Sequence, residues 1–361
     1  MPEVFLRIAA PSWIAIALGI APVSAAPPDP AARYVELVAA YAAGDRAVAV
    51  AGLGTIDESA IGSGMERLRG QSPTLVRAAA MLHTDRRLLE RGSPDTPETR
   101  PNCESSHTKP AWQAVQFLML DPAGTDFARR WCIAMALRDR WDGCFDAAFR
   151  WIDAGARWFP ADPGILLARG ALYETVAVLP TPLPRPYAIA GSQARQAALA
   201  ATAERTQRLK EARRSLERAL AADPALDMAQ VRLGRVLWRL GEGDPARAAL
   251  ESVLARSRDD ATLHLAHLFV ARVHQDARSH DAALRAYRAA LRLQPTSHAA
   301  AMGLSDALQL AGEPEEARAA VEGALAATGR RREPQSFWEY TFGDLRRATE
   351  LLEHLREDVA R

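Results

Sequence analysis

The sequence predicts an all-α fold, a right-handed superhelical solenoid of helix-turn-helix pairs with a C-terminal capping helix. The first observation is a pattern that occurs four times at intervals of about 34 residues. In each copy, a small residue is followed by an apolar residue four positions later and by another three or four positions beyond that. This spacing places all three side chains on one face of a helix. The copies begin at Ala212, Ala246, Ala283 and Ala317.

The second observation is that three of the preceding helices carry a small residue at a matching offset, at Gly234, Ala271 and Ser305. The paired helices resemble the tetratricopeptide repeat, in which small residues let two helices approach closely and a proline closes each unit. The resemblance covers residues 190–330 and, more loosely, 124–178. It implies about four to six helix pairs whose first helices line a concave, protein-binding surface.

The first 25 residues are predicted to be a signal peptide. Arg7 precedes an apolar run over residues 14–20, and Val23-Ser24-Ala25 offers small residues at the first and third positions before a cleavage site. The run is far shorter than the roughly 20 residues of a membrane-spanning helix. We therefore expect an exported mature chain that begins at Ala26 and has no membrane span. An uncleaved N-terminal anchor or a buried first helix are the alternatives.

The composition argues against a nucleic-acid partner. Lys and Arg total 45 against 44 Asp and Glu, so no net basic charge attracts the chain to nucleic acid or to an anionic membrane. Almost all of the positive charge is arginine, and alanine is abundant, which is typical of a GC-rich bacterial genome. Together with the signal peptide, this predicts a bacterial protein that is periplasmic or secreted.

Three cysteines, Cys103, Cys132 and Cys144, leave at least one thiol unpaired in an oxidising compartment. Cys132 lies more than two helical turns before the turn that Cys144 directly follows. We therefore expect their Cα atoms to be more than the roughly 7 Å apart that a disulfide allows. Cys103, in a polar loop over residues 93–110, has more freedom to reach a partner. The sequence leaves open whether any disulfide forms.

Residues 26–123 are predicted to form an irregular helical region. Asp29 and Pro30 suit an N-cap and first helical position, and Gly44 ends the helix that they begin. Gly62-Ser63-Gly64 is interpreted as a turn. Degenerate repeats are predicted over residues 124–178. The helices expected in these two regions cover residues 31–43, 46–51, 73–91, 112–120 and 165–177.

The regular period fails at residue 179. Alternate prolines from Pro180 to Pro186 remove backbone donors and fix the backbone in an extended conformation, so residues 179–191 are predicted to be an inserted Pro-rich loop. This loop either bridges the distance to the next helix or offers a polyproline segment to a partner. The repeats of residues 192–330 then begin with an unusually long helix over 192–222.

Residues 331–361 are predicted to close the solenoid. A helix with Asp344 as its N-cap places Leu352, Leu355 and Val359 on one side. Because a solenoid needs an end unit with one polar face to stop further stacking, we interpret this segment as the C-terminal cap. The helix follows an aromatic cluster of Phe337, Trp338, Tyr340 and Phe342.

The best candidate binding site is a cluster of arginines on a first helix. Arg232, Arg235 and Arg239 follow at i, i+3 and i+7 on one helix face, with Trp238 beside them. Planar guanidinium groups bind carboxylates through paired hydrogen bonds, and tryptophan adds a stacking surface. With Arg272 on the next first helix, these residues predict a groove for an acidic protein segment. The alternative is a solvated arginine face without a ligand.

The resemblance also implies a test for one known binding mode, the carboxylate clamp. The clamp uses Lys and Asn at set positions of first helices to hold a C-terminal carboxylate. Neither residue type is present at these positions, so we do not expect chaperone-tail binding of that kind. The corresponding pairs are Val231 and Arg235, Leu268 and Arg272, and Met302 and Asp306.

No motif of a known enzyme is present. The sequence contains no nucleophile elbow, HExxH, Walker loop, GxGxxG or kinase signature. The His-Thr-Asp sequence at 83–85 cannot act as a triad, because adjacent helical residues point apart. His264, His267 and His274 share a helix, but no carboxylate or cysteine completes a known metal spacing. We therefore expect no catalytic residue, cofactor or metal site.

These features predict a non-enzymatic, extracytoplasmic scaffold that binds a partner polypeptide, acidic in character, in the concave face of its array. Two other classes of function remain open. One is a hydrolase-like enzyme with a helical-repeat body and an unrecognised site in residues 31–160. The other is a self-associating structural protein of the cell envelope.

Overall fold

A computed structural model of the chain describes residues 29–91, 103–179, 192–327 and 336–360. The predicted signal peptide and, apart from Leu179, the predicted Pro-rich loop lie outside these ranges. Every regular element within them is an α-helix, which confirms the predicted all-α class. The helices are α1 (Pro30–Ala42), α2 (Arg46–Leu53), α3 (Glu58–Leu68), α4 (Pro73–Glu90), α5 (Thr108–Leu118), α6 (Pro122–Trp141), α7 (Phe145–Trp158), α8 (Pro163–Val178), α9 (Ser192–Ala222), α10 (Asp227–Arg239), α11 (Gly243–Arg256), α12 (Asp260–Asp276), α13 (His280–Leu293), α14 (His298–Ala311), α15 (Pro314–Ala327), α16 (Ser336–Phe342) and α17 (Leu345–Ala360).

The apolar side chains are buried in two adjoining core clusters. The first cluster joins α1–α7 with α17, and the second joins α8–α15 with Tyr340 of α16. Helix α8 contributes to both, because Ile165 and Leu172 lie in the first cluster while Leu166 and Ala177 lie in the second. It therefore connects the N-terminal helices to the repeats.

Two repeat pairs pack closely at glycines of their first helices, and one of these, Gly234, is a small residue of the predicted pattern. A Cβ atom added at Gly234 of α10 would lie 2.6 Å from Cγ of Leu250 on α11. A Cβ atom added at Gly170 of α8 would lie 2.7 Å from Cγ of Leu216 on α9. Both distances are shorter than van der Waals contact, so a larger residue would force the helices apart. The predicted close approach of paired helices is confirmed at these two positions.

The structure corrects the predicted turn at Gly62-Ser63-Gly64, which lies inside α3. A Cβ atom at Gly64 would lie 2.4 Å from Cδ1 of Tyr34, so glycine lets α1 and α3 approach closely. The turn was inferred because glycine pairs usually mark breaks in helices. Here the tertiary contact with Tyr34 accounts for the glycine.

Helix α9 extends over 31 residues, as the sequence predicted. Its C-terminal half packs against α8 and buries Leu209 and Leu216, whereas Leu199 near its beginning is 64% exposed. Arg205 lies between these two parts and is exposed. The helix therefore extends beyond its partner, and Arg205 lies near the limit of the packed part.

The C-terminal helix α17 forms where it was predicted but packs elsewhere. Its apolar stripe, including Leu352, Leu355 and Val359, is buried in the first core cluster against α4 and α6. Arg356 of the same helix donates to Asp85 of α4 at 2.6 Å. The expectation that this segment caps the last repeat was wrong, because α4 and α6 offer an apolar surface and the half-buried carboxylate of Asp85 for it.

Cys103 and Cys144 form a disulfide, with their Cα atoms 5.3 Å apart, and Cys132 is a buried free thiol. This agrees with the expectation that Cys132 and Cys144 do not pair. The bond links the segment before α5 to the residue that precedes α7. Burial raises the pKa of the Cys132 thiol to about 12, so this cysteine stays protonated at neutral pH.

Candidate functional site in the groove of the repeats

The groove face is the surface formed by the successive first helices α8, α10 and α12, with α16 lying against it. Helix α10 places Arg232, Arg235 and Arg239 along this face, because residues three and four apart share one side of a helix. Their environments differ. Arg232 and Arg235 are each only 5% exposed, whereas Arg239 is exposed to solvent. The groove face thus has a covered part under α16 and an open part beside it.

Glu174 of α8 is the centre of the covered part. Its carboxylate accepts hydrogen bonds from Arg232 at 2.7 Å, from Arg235 at 2.9 Å and from the hydroxyl of Tyr340. Burial opposes its ionisation, but the two guanidinium groups and the hydroxyl hold the pKa of Glu174 below its ordinary value. Glu174 therefore remains ionised and balances part of the positive charge around it.

Tyr340 of α16 fills the space between these groups and is only 3% exposed. The guanidinium carbon of Arg232 lies 4.0 Å from the centroid of its ring, within cation–π distance. The ring centroid of Phe269 in α12 lies 5.1 Å from the ring centroid of Tyr340. Tyr340 thus contacts the groove face through its ring and through its hydroxyl.

The last backbone carbonyls of α16 are also bound by the groove. A helix leaves its last carbonyl oxygens without partners inside the helix. Arg140 of α6 donates to the oxygens of Tyr340 and, at 3.1 Å, of Thr341. Arg232 donates to the Tyr340 oxygen at 2.8 Å, and Thr175 to the Thr341 oxygen at 3.0 Å. Burial and the neighbouring Arg232 lower the pKa of Arg140 to about 9.

Gly343 turns the chain from α16 to α17. Its φ angle is +117°, a backbone conformation that favours glycine. A Cβ atom at this position would also lie 3.0 Å from the carbonyl oxygen of Leu137 on α6. The glycine therefore lets the chain leave the groove directly beside α6, against which α17 packs.

The open part of the groove face carries Arg205, Arg239, Arg272 and Trp238. Partial desolvation by the surrounding helices, and then the charges of the arginines at 235, 205 and 272, lower the pKa of Arg239, although its side chain still reaches solvent. The Arg239 guanidinium lies 4.5 Å from the Trp238 ring, and the Trp238 indole donates to Asp276 at 2.7 Å. Within the described residues, no salt bridge joins Arg205, Arg239 or Arg272 to a carboxylate. The open part is thus positively charged next to an aromatic surface.

The predicted groove residues therefore divide into two sets. Arg239, Arg272 and Trp238 remain accessible, at least in part, as the arginine pattern predicted. The expectation that Arg232 and Arg235 also face outward was wrong, because Glu174 and Tyr340 engage both of them. Periodicity places all three α10 arginines on one face, but it does not show what covers that face.

Three residues of the covered part were not predicted, namely Arg140, Glu174 and Tyr340. Glu174 did leave a signal, because it is the only charged residue in the apolar second half of α8, residues 170–178. A carboxylate within an apolar helical run must find cationic partners when it is buried. Tyr340 was assigned to the cap, and nothing local in the sequence brings it to α10.

A separate cavity of about 920 Å³ lies between α3, α5 and α7, within the range considered for a hidden enzyme site. Trp112 forms part of its wall and stacks on Trp158 with ring centroids 4.8 Å apart. The described lining residues include Ser105, Ser106 and Thr108 but no histidine or cysteine. No Ser–His or Cys–His pair is therefore formed by this part of the lining.

Near this cavity, a buried polar chain joins α1, α4 and α5. Nε2 of His83 lies 3.0 Å from the Tyr34 hydroxyl, and Nδ1 of His83 lies 3.0 Å from Nδ1 of His107. Nε2 of His107 lies 3.3 Å from a carboxylate oxygen of Glu90. Burial lowers the pKa of both imidazoles, so both are neutral at pH 7. Both ring nitrogens of His83 have hydrogen-bonding partners within the fold, so His83 is a structural residue.

One of the three histidines of α12 has both ring nitrogens engaged within the fold. His264 is buried, with Nδ1 3.0 Å from the Ala290 oxygen and Nε2 3.1 Å from Oγ of Ser297. Across the part of the chain that the structure describes, no three His, Cys, Asp or Glu side chains are grouped as metal ligands. In the same part of the chain, none of the helices has the length and apolar character required to span a bilayer.

Comparison with known proteins matches two stretches of the chain to one family. Residues 204–268 and 271–331 each match the tetratricopeptide repeat. A crystal structure of MamA aligns over 53% of this chain and 93% of its own, with 20% identity and a TM-score of 0.39. MamA of Desulfovibrio magneticus RS-1 aligns over 57% of this chain and 97% of its own, with 16% identity and a TM-score of 0.40. Pseudomonas aeruginosa PilF aligns over 65% of this chain and 93% of its own, with 16% identity and a TM-score of 0.44.

The comparison with curated proteins gave no match. The two matched stretches extend from the packed part of α9 through α15, the same helices in which the sequence pattern is clearest. Such repeats generally form non-enzymatic scaffolds for protein–protein interaction. The helix pairs and their close contacts agree with these two matches, so residues 204–331 carry tetratricopeptide repeats.

Proposed function

We propose that this protein is an extracytoplasmic scaffold whose groove face binds an acidic segment of a partner protein. The open part of the groove carries the proposal. There partial desolvation and the charges of Arg235, Arg205 and Arg272 lower the pKa of Arg239, and no described carboxylate forms a salt bridge with Arg205, Arg239 or Arg272. Carboxylates bind guanidinium groups through charge-assisted, often paired, hydrogen bonds. An acidic segment would therefore relieve the repulsion among these arginines.

The same surface offers an apolar contact beside the charges. Trp238 is half-buried and lies directly under the Arg239 guanidinium. Tryptophan and arginine are the residue types that most often dominate binding energy at protein interfaces. Because packed helices hold both side chains, little ordering is required of the scaffold when a partner binds.

Two features support an extracytoplasmic location. Residues 1–25 have the pattern of a signal peptide, and the Cys103–Cys144 disulfide is of a kind that persists in oxidising compartments. We expect the chain recovered from the cell envelope or the medium to begin at Ala26, as measured by N-terminal sequencing. Recovery of the chain only from the cytoplasm, with its N-terminus intact, would contradict export.

The binding proposal is tested with a fluorescent deca-glutamate peptide as the acidic probe. We expect Arg239→Ala with Arg272→Ala to weaken binding about tenfold or more, measured by fluorescence anisotropy. The reason is that hydrogen bonds to charged groups contribute roughly 1.5–3 kcal/mol each when solvent is excluded, and about 1.4 kcal/mol corresponds to a factor of ten. Binding should also weaken as salt is added.

A matched control is available on α13. Arg285 and Arg292 are exposed there, and neither forms a salt bridge within the described residues. Arg285→Ala with Arg292→Ala removes the same net charge, so a change near that of the groove variant would show only nonspecific attraction. A deca-glutamine peptide should not bind. Failure of the unaltered protein to bind the acidic probe would argue against an acidic partner.

A further inference from the structure

We infer that the covered part of the groove face is itself a binding site for the partner's acidic segment, and that residues 336–343 occupy it as a built-in competitor. This inference rests on the proposed function and extends it. It assigns Arg140, Arg232 and Arg235 to ligand binding. It also means that α16 must leave the groove before the whole site can be used.

The charges beneath α16 are the first argument. Arg140, Arg232 and Arg235 are all buried. Arg232 and Arg235 share the carboxylate of Glu174, whereas Arg140 forms no salt bridge within the described residues. The backbone acceptors that α16 itself brings to Arg140 and Arg232 are the neutral carbonyl oxygens of Tyr340 and Thr341. Guanidinium groups form stronger hydrogen bonds with carboxylates than with neutral acceptors. A carboxylate in place of these carbonyls would therefore suit the site better.

Unused donors are the second argument. The Nε atoms of Arg140 and Arg235 are buried and have no hydrogen-bond partner in the structure. Buried polar groups are rarely left unpaired, because each one loses its hydration without gaining a bond. Helix α16 thus satisfies the groove only in part, which is expected of a ligand that must be replaced by a better one.

Continuity with the open part is the third argument. Arg232, Arg235 and Arg239 follow one another along one face of α10, so a segment bound at Arg239 reaches Arg235 within about one helical turn. A cavity of about 200 Å³ beside α16 leads to the covered arginines from the side. Its charged lining consists of four arginines, Arg140, Arg232, Arg346 and Arg347, and three carboxylates, Asp259, Glu339 and Asp344.

The attachment of α16 makes its release possible without unfolding of the core. Helix α16 has only seven residues. Besides the contacts of Tyr340, Ser336 donates to Gln294 at 2.7 Å, and the ring centroids of Phe337 and Phe269 lie 6.5 Å apart. The following helix α17 is held independently, because Leu352 and Leu355 lie in the first core cluster. Release of α16 would therefore leave α17 in place.

Tyr340→Ala in the full chain tests the inference with the same deca-glutamate probe. We expect about tenfold tighter binding, because the competitor loses its hydroxyl and ring contacts. In the unaltered protein, saturating probe should increase hydrogen exchange at the amides of 336–342 but not those of α17. Adding Arg140→Gln to Tyr340→Ala should remove most of the gain, since Arg140 belongs only to the covered part.

Tyr340→Phe removes only the hydroxyl and provides a milder variant, with an expected gain of about threefold. Unchanged or weaker binding by both variants, with unchanged exchange in α16, would overturn the inference. The proposed function would survive that result if Arg239→Ala with Arg272→Ala still weakened binding of the probe. Absence of binding by the unaltered protein and by both Tyr340 variants would overturn the inference and the acidic-partner proposal together.

Discussion

Glu174→Ala is expected to lower the free energy of unfolding by about 3–5 kcal/mol. The carboxylate is 1% exposed and is the acceptor for Arg232, Arg235 and the Tyr340 hydroxyl. Its removal leaves guanidinium groups buried without a counter-charge, and a buried unpaired charge is far more costly than a lost surface contact. Urea denaturation followed by circular dichroism measures the change.

A matched control variant, Glu217→Ala, shows how much of the stability loss comes from burial of the carboxylate and how much from loss of an ion pair alone. Glu217 pairs with Arg213 at 2.7 Å, but its side chain is 46% exposed. Glu217→Ala should therefore lower stability by less than about 1 kcal/mol. Glu174→Gln keeps an acceptor and should fall between the two alanine variants. A loss for Glu174→Ala no larger than that for Glu217→Ala would mean that water compensates the arginines under α16.

The Glu174→Ala variant should also affect α16. Because the Tyr340 hydroxyl and Arg232 lose their common partner, hydrogen exchange at 336–342 is expected to rise more than in the helices of the first core cluster. This pattern follows from the position of Glu174 at the junction between α8, α10 and α16. Uniform exchange through the whole chain would instead indicate global loss of the fold.

The repeats could be predicted from sequence because their contacts are local and periodic. Gly170 and Gly234 mark close contacts between neighbouring helices, and the spacing of small and apolar residues is visible within each pair. The all-α class and the long α9 followed from the same periodicity. Gly64 shows the limit of this reasoning, because its contact with Tyr34 joins residues that no repeat relates.

The candidate site could be predicted only in its open half. Arg239, Arg272 and Trp238 lie where helical periodicity placed them. The covered half depends on Tyr340, which meets Glu174 across a separation of 166 residues. Tyr340 meets Glu174 because α17 packs on α4 and α6 and holds the preceding helix α16 near the groove. The sequence does not reveal this packing, because the apolar stripe of α17 is equally suited to capping a repeat.

Asp139→Ala is the second variant with a large expected effect, about 3–5 kcal/mol, and it acts on the first core cluster. Asp139 of α6 is fully buried and accepts from Arg87 at 2.9 Å, from Arg91 at 2.5 Å and from the Trp151 indole at 2.6 Å. The residue therefore ties α4, α6 and α7 together. Its removal leaves Arg87, which is 1% exposed, without its carboxylate.

Asp139→Ala and Glu174→Ala are expected to increase hydrogen exchange in different helices. Because Asp139 lies among α4, α6 and α7, hydrogen exchange should rise in these helices and less in α10–α15, which belong to the second core cluster. Asp244 provides the exposed comparison, since it pairs with Arg247 at 2.8 Å while its side chain is 90% exposed. Equal effects of Asp139→Ala and Asp244→Ala would contradict a buried charge cluster in the N-terminal helices. Equal exchange in both core clusters would mean that they unfold as one unit, joined through α8.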